Sequence, residues 1–141
     1  MRLKIEITGL IFGAAFAALA QPSTPQVDPL SEFLIAPELV MNHQHAIDLS
    51  QEQKNAIKTE IGHAQSTLND LHWDLKDEMH EFSTLLSQDK VDEKKTLAQL
   101  SLVLDKETQI KKAQMTLMIR IKNFLTPEQQ KILREIKSKM E

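Results

Sequence analysis

Residues 50–86 read SQEQKNAIKTEIGHAQSTLNDLHWDLKDEMHEFSTLL, and this stretch decides the fold. Ile57, Ile61, Ala64, Leu68, Leu71, Leu75, Met79, Phe82 and Leu86 recur mostly at alternating steps of four and three, the spacing that keeps apolar side chains on one face of an α-helix. Ser50 stands before the first helical residue as an N-cap, and Gln53 completes a capping box. In that device the serine hydroxyl accepts a free backbone N–H and the glutamine side chain returns a bond to the cap residue. The spacing predicts one long amphipathic helix with a defined start.

Beyond it, the polar stretch from Ser87 to Asp92 breaks the period, and Asp92 is placed to cap a helix that turns back. This third helix carries two adjacent apolar stripes: Leu97, Leu100, Leu104, Met115 and Met118 on one, and Val103, Ile110, Leu117, Ile121 and Phe124 on the other. Such an arc is wider than one antiparallel partner covers. Thr126 caps a last helix, with Pro127 at its first position and Gln129 at its third, ahead of Ile132, Leu133, Ile136 and Met140. Upstream, a short helix is expected from Pro37 through Ile47, stopped at Asp48-Leu49-Ser50. The expected fold is all-α: a long antiparallel hairpin with two short flanking helices, four in all, over residues 37–141.

The first twenty residues read as a targeting segment. Arg2 and Lys4 precede an apolar run from Ile7 to Ala20, shorter than the roughly 20 residues a membrane span needs. Ala18-Leu19-Ala20 has the small-x-small form of a cleavage site, so residues 1–20 are read as a signal peptide removed after Ala20. Pro22, Pro25 and Pro29 then mark residues 21–36 as a flexible tether, ending in a Phe33-Leu34-Ile35 cluster expected to dock on the domain.

Composition narrows the chemistry. The chain has no cysteine, so neither disulfide nor thiolate chemistry is open to it. Of its 3 glycines two lie in the leader, which leaves no glycine-rich phosphate loop. A formal net charge of -3, from 17 basic and 20 acidic side chains, is the wrong sign for a nucleic-acid footprint. Nor do Ser, His and Asp fall at spacings that suggest a nucleophile, so no enzyme activity is expected.

Leu49-Ser50-Gln51-Glu52-Gln53 and Leu125-Thr126-Pro127-Glu128-Gln129 repeat one pattern, leucine, hydroxyl residue and, three positions after it, glutamine, at the start of the hairpin and directly after it. On Leu49, Ser50, Gln53, Leu125, Thr126 and Gln129 the chain resembles the LTXXQ-motif family of periplasmic proteins, with its Spy/CpxP-like members and CnrX-like metal sensors. That resemblance implies a periplasmic hairpin, a dimeric cradle (a homodimer), and one of two activities. Spy/CpxP-like members imply an ATP-independent chaperone or envelope-stress adaptor whose partners are unfolded or stress-related proteins, or a sensor protein. The sensor branch implies heavy-metal binding for sensing or resistance, through His-x-x-x-His before the first motif and His-x-x-x-Met before the second. Register from the two motif leucines puts Val40, Gln44, Leu117 and Ile121 at those positions, and Ile61 beside Glu60 where an early carboxylate would stand. The chaperone or adaptor is the leading expectation, metal binding the alternative, and a structural module for one dedicated partner the third.

Other residues have chemistry of their own. The 5 histidines, His43, His45, His63, His72 and His80, contain no pair at i,i+4 spacing, but Met41 and His45 have it and form a borderline-soft pair for a transition metal, the one cofactor the sequence suggests. His80 lies among Asp74, Asp77, Glu78 and Glu81, an acidic face read as solvated. Trp73, off the main seam, is read first as packing on the N-terminal helix or a dimer mate, and second as a client contact. Met115 and Met118 are adaptable apolar side chains of the same two kinds.

Overall fold

The structure is a computed structural model that describes Leu30 and residues 32–140; the expected signal peptide and cleavage site, and most of the expected tether, lie outside the described residues. Four helices follow in order, α1 (Pro37–Asn42), α2 (Gln51–Leu86), α3 (Glu93–Phe124) and α4 (Pro127–Ser138), with no strand among the described residues. Three of the four starts have the expected caps, while Ala36 ahead of α1 makes no side-chain cap bond. Ser50 and Thr126 head complete capping boxes at α2 and α4, Asp92 accepts the Lys95 N–H at α3, and prolines open α1 and α4.

α2 and α3 pack as an antiparallel hairpin. Gln99 meets Glu78, Lys106 meets Asp74 and Arg120 meets Glu60, so the partner on α2 retreats as the chain advances along α3. At the base of the hairpin Ile35, Val40, Ile47, Ile57, Ile121, Leu125 and Leu133 form one core, joining the approach to α1, the turn after it and all four helices. Toward the tip the seam narrows to Phe82, Val103 and Ile110, joined by the buried Gln99, whose amide donates to the Glu78 carbonyl and carboxylate. Of the docking cluster, Ile35 is buried, while Phe33 is exposed and its carbonyl accepts from Lys122.

Two local expectations need correction. α1 ends at Asn42 rather than continuing through Ile47; residues 43–48 form turns, with a 5-residue bond from the Leu49 N–H to the Gln44 carbonyl and Asp48 at φ 48. Aspartate tolerates this left-handed conformation better than most side chains, and Ile47 reaches the core from the turns without a helix beneath it. At the far end of α2, Leu86 is exposed and Leu85 is the half-buried neighbour, because α2 ends before its seam can be covered.

The Lys106–Asp74 ion pair, 2.7 Å long, gives a pH prediction. Its hydrogen bond to Asp74 is the main cause that raises the Lys106 pKa above the ordinary 10.5, so folding favours the ammonium form. Its stabilisation is complete below the unfolded-state value and fades as pH climbs through the higher folded one. Urea midpoints should therefore fall more for the native chain than for Asp74→Asn between neutral pH and the far alkaline range. Parallel declines in the two proteins would refute this.

Candidate binding groove and its paired glutamines

The two motif glutamines do more than cap. Gln53 Oε1 accepts from the Ser50 N–H at 3.0 Å and Gln129 Oε1 from the Thr126 N–H at 2.9 Å, which closes the boxes. The amides also bond to each other in both directions, Gln53 Nε2 to Gln129 Oε1 at 2.8 Å and Gln129 Nε2 to Gln53 Oε1 at 3.0 Å. Each nitrogen spends its remaining N–H on a backbone carbonyl across the pair, Gln53 on Phe124 and Gln129 on Ile47. Donors and acceptors are thereby matched on both side chains. Leu125 is buried and Leu49 half-buried against the same core, so the repeated motif forms one joint between two chain segments.

Sequence reasoning found the boxes and missed the joint. A signal was present: glutamate serves a capping box as well as glutamine, but only an amide retains N–H groups after its oxygen has capped the helix.

Above this joint α1 and α2 bound an open groove of about 880 Å³. Val40, Ile57, Ile61 and Leu117 supply apolar lining, and Lys54, Lys58, Gly62 and Gln65 belong to the α2 side. Val40, Gln44, Ile61 and Leu117, placed by motif register where the sensor branch implies ligands, all line this one groove. The fifth, Ile121, is fully buried in the adjoining core with Val40. The positions converge in space, but their chemistry does not fit a transition metal: four are aliphatic and the fifth is a neutral amide. Among the described residues no group of three or more His, Asp or Glu side chains could hold a metal ion.

The other candidate residues are dispersed. Met41 and His45 are both exposed, but the end of α1 at Asn42 removes the helical i,i+4 geometry that paired them. His72 bonds the Leu68 carbonyl through Nδ1 at 2.6 Å. Trp73 is 61% exposed, so packing on α1 is overturned: it lies on the side of α2 away from the seam, with the Lys76 ammonium 4.9 Å from its ring centroid. Met115 and Met118 are half-buried beside the exposed Ile119, and Leu97 and Leu104 on the same stripe of α3 are about half exposed.

The sequence pattern of a family described as heavy-metal resistance matches residues 7–136. The chain belongs to that family. The family is of the LTXXQ, CnrX and Spy-like type, in agreement with the paired motifs, and its description favours the metal-related expectation over the general chaperone. Among curated proteins and solved structures none matches the chain. Within this heavy-metal resistance family, then, the chain has the double motif and an apolar groove at the positions that sensor ligands would occupy.

Proposed function

We propose that this member of the heavy-metal resistance family is an exported, non-enzymatic binding protein of the periplasm that engages unfolded or stress-related proteins instead of holding a metal itself. The observation that carries this reading is the apolar replacement of the ligand positions, Val40, Leu117 and Ile121 above all. Exposed Leu97, Leu102, Leu104 and Ile119 support it, since apolar side chains of this kind suit either client contact or the face of a homodimer. A second reading has one support of its own: the family's description, together with two accessible ligands at Met41 and His45, favours metal sensing through a site completed by another molecule.

Two measurements on the mature chain separate them. Calorimetry with zinc, nickel and copper should show only weak binding, and light scattering should show suppressed aggregation of a heated or reduced client without ATP. A tight stoichiometric metal site abolished by Met41→Ala or His45→Ala, with no client protection, would instead establish the sensor.

A further inference from the structure

The groove between α1 and α2 carries information about its occupant beyond its apolar lining. Lys54 and Lys58 are one helical turn apart on the α2 wall, which sets their Cβ atoms about 6 Å apart. Neither lysine has an ion partner among the described residues. Glu38, on the α1 side, is the sole acidic residue of the lining, so the groove favours negative charge although the whole chain is acidic. Asn42, Gln44 and Gln65 add three amides that line the same groove, and their side chains make no hydrogen bond among the described residues.

These features discriminate between occupants. An alkyl chain would satisfy the apolar lining but offer no hydrogen bond to the three amides and no charge to the two lysines. A peptide offers apolar side chains to the lining and N–H and C=O groups to the amides, and acidic residues in it would meet the two lysines. Gly62 leaves room for this on the wall, since a Cβ there would meet nothing within 4 Å.

We infer that the α1–α2 groove is a docking site for an apolar peptide segment bearing carboxylates, with Lys54 and Lys58 as their counter-charges. The inference rests on the protein-binding reading above and narrows it to one site and one class of segment. The lysines set orientation and preference, while the lining supplies most of the contact.

The test uses the mature chain and two fluorescein-labelled synthetic peptides of equal length, one alternating leucine with glutamate and one alternating leucine with lysine. Fluorescence anisotropy should show the acidic peptide binding roughly tenfold more tightly. The variant Lys54→Glu/Lys58→Glu should invert that order. It should also fold, because both substitutions fall on a helix wall open to solvent, and circular dichroism would confirm its helicity. Equal affinities for the two peptides, or an order unchanged in the variant, would overturn the assignment. A native chain that protects an aggregating client while binding both peptides alike would remove the groove and leave protein binding standing.

Discussion

Truncating Ile121 to alanine should lower the free energy of unfolding by about 3 kcal/mol, measured from urea midpoints at unchanged m-value. Ile121 is fully buried in the core that joins all four helices, so the lost methyl and ethyl groups leave a space its neighbours cannot fill by moving one helix alone. Leu104→Ala is the control: that leucine is 48% exposed on the outer stripe of α3, and its truncation should cost under about 1 kcal/mol. Ile121→Met, which would install the thioether implied for the sensor branch, conserves volume and should cost less than about 1.5 kcal/mol. Equal losses for Ile121→Ala and Leu104→Ala would mean that the base of the hairpin is not the main core.

Gln129→Ala should be of similar size, again about 3 kcal/mol, though its cause is polar. The residue is 8% exposed and takes part in four hydrogen bonds through its two side-chain heteroatoms. Removing it orphans the buried Ile47 carbonyl and the part-buried Thr126 N–H and Gln53 amide, each at a cost of about 1 kcal/mol. Gln129→Glu isolates the joint from the cap. It keeps an acceptor for the Thr126 N–H but turns carboxylate oxygens toward the Ile47 carbonyl and Gln53 Oε1, so it should destabilise despite an intact capping pattern. A double-mutant cycle between Gln53→Ala and Gln129→Ala should give a coupling of about 1–2 kcal/mol. Strict additivity would show that the two boxes act independently.

The architecture was legible wherever local chemistry determines it. Apolar spacing from Ile57 to Phe82 requires a helix, Ser50, Asp92 and Thr126 mark three of the four starts, and the polar Ser87 to Asp92 stretch forces the reversal that makes a hairpin. The end of α1 was not legible, because Gln44 to Ile47 has no helix breaker; the turns there follow from fitting Ile47 into a core whose other members come from distant segments. Trp73 shows a similar limit. Its position off the seam could be read from spacing, but only the packed chain shows that no other helix covers it. For the candidate site, motif register placed Val40, Gln44, Ile61 and Leu117 on what proves to be one groove, whereas no spacing marks Lys54 and Lys58, whose place in the lining depends on α1 as the opposite wall.

The amide joint also determines what the fold is indifferent to. Disulfides, thiolate metal sites and carboxylate or histidine clasps all close chains effectively, yet each is a reactive or titrating group that acid, oxidant or a soft cation can attack. Gln53 and Gln129 hold together segments 76 positions apart through groups that neither ionise nor change oxidation state and are poor ligands for such cations. In a chain without cysteine, the same choice extends to the core, where aliphatic side chains stand at the positions motif register gives to sensor ligands. The base of this hairpin should therefore keep its shape when copper or zinc floods its surroundings, because its fasteners present nothing for the metal to displace.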